Sequence, residues 1–163
     1  MGSEIQTVLV IDDNEDIRNL LSMVLEKEGY VVLKAIDASD GLEKLEANAI
    51  NLILLDVMMP GISGLDLLKT IRDHKKKEIN TVPICMITAK SSVEDIDLAL
   101  ELGATSYIVK PFRPTALAEK VKALINPTNE RSKDGTAHGK KGNWYFAHDG
   151  DDDFHLCVSI CCI

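Results

Sequence analysis

The sequence predicts an α/β fold, a doubly wound parallel sheet with helices on both faces, and three observations predict it. Five short runs, at 8–11, 31–35, 52–55, 84–87 and 106–109, are apolar and mostly β-branched or leucine-rich, as buried strands are. Between them the spacing of apolar residues changes to that of a helix. Strand and helix alternate five times over about 125 residues, and the connections are too short for antiparallel pairing to explain that order.

After the first strand, Ile17, Leu20, Leu21, Val24 and Leu25 form one apolar stripe, and Gly29 suits the left-handed turn that ends a helix. Asp37 can cap a second helix carrying Leu42 and Leu45. Ser63 can cap a third carrying Leu65, Leu68 and Ile71, because short polar side chains accept orphan amide hydrogens. Ser91 with Glu94 fits a capping box for a fourth helix, with Ile96, Ala99 and Leu100 facing inward. Pro114 opens a fifth, whose stripe is Leu117, Val121, Leu124 and Ile125.

A chain of 163 residues supports one ordinary domain, and 45% hydrophobic with 27% charged residues reads as soluble and globular. No segment approaches the roughly 18 uninterrupted apolar residues of a membrane helix, and Met1-Gly2-Ser3-Glu4 lacks the parts of a secretory signal, so a cytoplasmic location is expected. The formal charge is −8; residues through Asn126 carry 14 Lys and Arg against 20 Asp and Glu, and the remainder 4 against 6. Neither part is a basic module for nucleic acid. Lys75, Lys76 and Lys77 read as a solvated helix end in preference to a docking patch. Cys85, inside an apolar run, reads as a small buried hydrophobe, and Cys157, Cys161 and Cys162 crowd the C-terminus without suggesting a disulfide framework.

The chemistry gathers where the strands end, the edge at which open parallel sheets bind ligands. Asp12 and Asp13 follow the first strand, Asp56 the third, Thr88 the fourth and Lys110 the fifth. Neighbouring carboxylates repel unless a cation neutralises them, and Mg²⁺ suits a site of a few carboxylates, waters and a phosphate. A carboxylate can attack a phosphoryl group to give an acyl phosphate. A lysine and a hydroxyl can then contact its oxygens. Capping of the first helix accounts for one residue among Asp12, Asp13 and Asn14, but not for two acids beside a third on another strand. Pro111 biases Lys110 toward extended geometry and, if the bond is cis, aims it at the site. No G-x-G-x-x-G or Walker loop is present.

In this order, Asp12-Asp13, the stretch from Asp56 to Gly64, Thr88-Ala89 and Lys110-Pro111-Phe112 resemble the receiver domain of two-component response regulators, over about residues 7–125. The resemblance implies a flavodoxin-like (βα)5 fold with strand order 2-1-3-4-5. It implies that Asp56 accepts a phosphoryl group from a sensor histidine kinase or phosphotransfer protein. It assigns Mg²⁺, with Mn²⁺ possible, to Asp13, Asp56 and the Met58 carbonyl, with Asp12 acting through water. Thr88 and Lys110 would contact the phosphoryl oxygens. Tyr107 matches the aromatic switch position that turns inward as Thr88 moves; the plain alternative is a half-exposed edge tyrosine. Output would leave through the fourth helix, fifth strand and fifth helix. Met58 and Lys90 occupy the positions that tune phosphate lifetime, and neither holds a hydrolytic water well, which predicts slow self-dephosphorylation.

Two rival readings are a receiver-like binding module without phosphorylation and an aspartate-nucleophile phosphatase of the haloacid dehalogenase type. The latter needs a second acid two residues after the nucleophile, where Met58 stands. The expected organisation is a receiver at 5–126, a polar linker at 127–143 and an extension of unknown role at 144–163. In the extension, His148, His155 and the three cysteines match no regular zinc site; an added edge strand or a short hairpin fits better. The working expectation is a stand-alone receiver, monomeric or dimerising on phosphorylation, that contacts no nucleic acid or membrane and is not an enzyme beyond its own phosphoryl transfer and loss.

Overall fold

Among the described residues, five parallel strands form one sheet in the order β2-β1-β3-β4-β5, as the resemblance implied. A computed structural model describes residues 5–89 and 92–127. The strands are β1 (Thr7–Ile11), β2 (Val31–Ala35), β3 (Leu52–Asp56), β4 (Ile84–Thr88) and β5 (Ser106–Val109). The helices are α1 (Glu15–Lys27), α2 (Ala38–Ala47), α3 (Gly64–Arg72), α4 (Lys77–Asn80), α5 (Val93–Glu101) and α6 (Pro114–Ile125). The chain steps outward from β1 to β2 and then crosses to the other side for β3. The carboxyl ends of β1 and β3 therefore flank the point where the winding reverses.

Alternation along the strands sorts the core into two halves. Val8, Val10, Leu52, Leu54, Cys85 and Ile87 face α1 and α6, where they meet Leu21, Leu25, Leu117 and Val121. Leu9, Ile11, Ile53, Leu55, Ile84 and Met86 face the other way, against Ala38 and Leu45 of α2, Leu67 and Ile71 of α3, and Ala99 of α5. Each fully buried Leu or Ile contributes about 1.5–3 kcal/mol, which is why three consecutive inner strands carry almost no polar residue. Cys85 is fully buried, and burial pushes its thiol up to about 12, so it is the inert hydrophobe expected.

The helix ends follow local chemistry. Asp37 and Ser63 accept the backbone N–H groups of Asp40 and Asp66, as expected. Gly29, at φ 91°, closes α1: its N–H donates to the Glu26 carbonyl and that of Tyr30 to the Leu25 carbonyl. Several expectations are corrected. The cap of α5 is Ser92, whose hydroxyl pairs with Asp95; a serine repeat displaced the motif by one residue, and Ser91 lies outside the described residues. Leu20 is exposed at the rim of α1, and Ser22 is buried instead, its hydroxyl donating to Glu26. β2 is an edge strand with Val31 exposed, because only one neighbour covers it.

The largest departure is α4, a single turn that the apolar spacing does not reveal because only Ile79 is buried. α3 ends at Arg72, so Lys75, Lys76 and Lys77 follow its end rather than form it, and Lys77 starts α4. Arg72 holds this region: its Nε donates to the Gly103 carbonyl at 2.8 Å, and its Nη1 to those of Asn80 and Val82 at 3.0 and 2.8 Å. At the other end of the chain, Gln6 and Asn126 exchange side-chain amide hydrogen bonds, joining the foot of β1 to the end of α6. No helix among the described residues is long and apolar enough to cross a membrane.

Arg72→Met removes three charge-assisted hydrogen bonds and leaves carbonyls short of a donor. Urea denaturation should show a loss of about 3 kcal/mol with an unchanged slope. A loss of less than about 1 kcal/mol contradicts that role.

Candidate functional site

Parity along the strands brings the charged groups together. Asp56 continues the face of Leu52 and Leu54, and Asp12 that of Val8 and Val10. Lys110, two residues beyond Ile108, falls on the same face. The pairing runs on past the strand ends: the Asp12 N–H donates to the Ala35 carbonyl, that of Val57 to Ile87, and that of Lys110 to Thr88. Three side chains distant in sequence thus meet at one edge. Lys110 Nζ lies 3.1 Å from Asp12 Oδ2 and 3.0 Å from Asp56 Oδ1. The Lys110–Pro111 peptide is cis.

Asp13 joins from the other side, and carboxylate oxygens of Asp12, Asp13 and Asp56 lie within 4.8 Å of one another. Asp12 and Asp56 are buried, and Asp13 is exposed. Burial raises the pKa of Asp56, and the charges of Asp12 and Asp13 push it the same way, against the lowering effect of the Lys110 hydrogen bond and charge. Burial alone would lower Lys110, but its hydrogen bonds to Asp56 and Asp12 outweigh that, and its pKa is raised. Among the described residues, one ammonium faces three carboxylates. The deficit of positive charge, all-oxygen donors and one exposed acid make the pocket compatible with a hard divalent cation.

The oxygens are not equally available. Asp12 Oδ1 accepts the Asn14 N–H at 2.8 Å while Oδ2 holds Lys110. The cap of α1 is Asn14, whose side chain accepts from the amides of Asp16 and Ile17. Arg18 Nη1 donates to the Asp12 carbonyl at 2.7 Å, fixing the turn from behind; the sequence reading had no role for Arg18. A second unanticipated contributor is Gly64. Its N–H donates to the Val57 carbonyl at 3.0 Å, and a Cβ there would overlap the backbone of Asp56 and Val57. In sequence, Gly64 closes the stretch that carries the resemblance, but nothing there gives its structural role.

Thr88 and Tyr107 take the opposite parity, with Ile84, Met86 and the core beneath α5. Thr88 is buried one position past Ile87, the partner of Asp56 in the ladder. Tyr107 is 6% exposed, so it is not the half-exposed edge tyrosine of the plain alternative, although β5 is an edge strand. Lys120 Nζ from α6 lies 5.9 Å from its ring centroid. Met58 is exposed. Lys90 lies outside the described residues, as do His148, His155, Cys157, Cys161 and Cys162, the linker from residue 128 onward and the extension.

A 2-1-3-4-5 sheet with an acidic cluster and a lysine at its carboxyl edge is an arrangement shared with known proteins. The chain belongs to the response regulator receiver domain family, whose model matches residues 8–122. It is similar to the alkaline phosphatase synthesis transcriptional regulatory protein PhoP of Bacillus subtilis, 40% identical over 133 residues that make up 78% of this chain and 54% of that protein. It is also similar to the regulatory protein VanR of Enterococcus faecium, 40% identical over 72% of this chain and 49% of VanR. The chain spans about half the length of these curated relatives. Among solved structures, the chemotaxis protein CheY4 of Vibrio cholerae superposes with a TM-score of 0.70 at 32% identity, covering 74% of this chain and 98% of that one. A CheY-like receiver domain protein from Methanospirillum hungatei matches equally well, with TM-score 0.70 and 32% identity over 76% and 96% of the two chains.

The raised pKa of Asp56 sets a sign for stability. A carboxyl whose folded pKa exceeds the unfolded value favours folding when protonated, and that contribution is lost as pH rises from about 3.8 through the raised value. At pH 7 with a chelator, Asp56→Asn should therefore melt higher than the parent, by roughly 4 °C for each kcal/mol of relieved repulsion. Mg²⁺ should raise the melting temperature of the parent and have little effect on Asp56→Asn. A lower melting temperature for Asp56→Asn under chelation contradicts this account of the electrostatics.

Proposed function

We propose that this receiver domain is a reversible phosphoacceptor in which Asp56 takes a phosphoryl group from a phosphohistidine of a sensor kinase or phosphotransfer protein. The observation that carries the reading is Lys110 Nζ bridging Asp12 and Asp56 at 3.1 and 3.0 Å within a cluster of three carboxylates. An Asp56 oxygen forms the bond to phosphorus as the phosphorus–nitrogen bond breaks, and the electron pair leaves on the imidazole. Lys110 is already within reach of Asp56 and offers its charge to the incoming oxygens, and Thr88, at the end of the neighbouring strand, offers a hydroxyl.

Mg²⁺, when bound, supplies positive charge that offsets both the nucleophile and the phosphoryl oxygens. Asp13 and Asp56 would hold it directly together with the Met58 carbonyl. Asp12 fits an indirect place, because both of its oxygens already have partners. The chain works as an acceptor and carries no separate catalytic turnover.

Signal leaves on the other parity. Phosphorylation favours the state with Thr88 drawn toward the phosphoryl group and Tyr107 turned in, and so shifts an existing population. That Tyr107 is already buried supports an inward state accessible at low cost. The surface of α5, β5 and α6 then carries the change to a partner or to a further domain. The curated relatives named above are regulatory proteins about one and a half times this length.

Incubation with acetyl phosphate and Mg²⁺ should give one acid-labile adduct by intact mass, on Asp56, absent in Asp56→Asn. No adduct in the parent returns the chain to the class of binding modules that work without phosphorylation. Once formed, the adduct should persist for minutes or longer, because Met58 offers no group to orient an attacking water; decay within seconds contradicts that assignment.

A further inference from the structure

The amino edge of the sheet, opposite the carboxylates, carries two adjoining clefts that the proposed function does not use. The first, about 280 Å³, has Leu45, Ile79 and Val82 as its floor and Ala49 and Ile50 along one wall. It meets the second at Glu46 and Lys76, and there His74 and Lys75 form the border. Lys75, Lys76 and Lys77 are all exposed. His74 holds the loop that presents them: its Nδ1 accepts the Lys76 N–H at 3.1 Å and its Nε2 lies 3.4 Å from Glu46 Oε1. Besides Glu46, the acids of the lining are Glu78 in the first cleft and Asp73 in the second. The lysines do not end α3, so the helix dipole gives no reason for them to be there.

We propose that this double cleft is a docking site for the chain's own residues 149–158. Asp149, Asp151, Asp152 and Asp153 would face the three lysines, and Phe154, Leu156 and Val158 would enter the apolar cleft. Charge is the first argument: in a chain of net charge −8, the densest run of lysines and the densest run of aspartates complement each other. Position is the second. α6 ends beside Gln6, through the Gln6–Asn126 amide pair, and Asn51, next to the cleft residue Ile50, accepts the Thr7 N–H at 2.7 Å. The exit of the chain and the cleft therefore share the amino edge of the sheet. Reach is the third: 21 residues separate Pro127 from Asp149, a length that spans at most about 70 Å against a radius of gyration of roughly 14 Å for a domain of this size.

The test uses the full chain with labelled methyl groups. Methyl resonances of Leu45, Ile50, Ile79 and Val82 should shift alike when Asp151, Asp152 and Asp153 are changed to Asn, when Phe154 and Leu156 are changed to Ser, and when the three lysines are changed to Gln. A tethered segment at an effective millimolar concentration, with an intrinsic Kd of about 0.1 mM, is about 90% docked, so the shifts in these variants should cover most of the bound-to-free range. Replacing the lysines by Glu together with the aspartates by Lys should restore the parent shifts. The assignment is overturned if the tail variants leave these resonances unmoved. It is also overturned if the shifts depend on protein concentration, which would mark a second copy, and not the chain's own segment, as the occupant.

Discussion

Three carboxylates held within 4.8 Å of one another against the Lys110 ammonium are the constraint around which the rest of this fold is arranged. Such a group costs free energy unless something holds it in place. Here the parallel ladder does so: hydrogen bonds from Asp12 to Ala35, Val57 to Ile87 and Lys110 to Thr88 carry the strand geometry past each strand end into the site. Arg18 and Asn14 then fix the backbone and one oxygen of Asp12. The buried hydrophobic sheet is the platform that makes this much repulsion tolerable, and the repulsion is what makes the pocket compatible with a divalent cation.

The same ladder divides the labour. Side chains of even number in β1 and β3, with Lys110, meet on the α1 and α6 side, while Thr88 and Tyr107 point into the half of the core under α5. The group that would receive the phosphoryl and the groups that would report it are thus on opposite faces of one sheet and approach one another at its carboxyl edge.

How much of this was legible in the sequence depended on how far each feature rests on local chemistry. The five strands, the caps at Asp37 and Ser63, Gly29 and the convergence of Asp12, Asp13, Asp56 and Lys110 follow from periodicity, capping and the strand-end rule. α4 did not, since one helical turn with a single buried residue leaves no period to read. Ser22 and Leu20 exchanged expected places because the orientation of α1 is set by packing against β2 and α6, which no window of its own sequence contains. Arg72 acts on backbone atoms of distant segments, so its residue type alone carried no signal, and Gly64, although inside the stretch that carries the resemblance, acts through a close backbone approach that its residue type does not announce.

Gly64 has a further consequence. Its lack of a side chain lets α3 begin in contact with the Asp56 backbone, while its N–H reaches back to Val57. Residues 57–63 are therefore clamped at both ends into a span of fixed length, with Gly61 at φ 82° making the bend and Met58 and Ile62 exposed along it. Such a segment behaves as an interchangeable cartridge: its exposed side chains can be swapped without disturbing the fold, whereas one inserted residue would unseat the acid beneath.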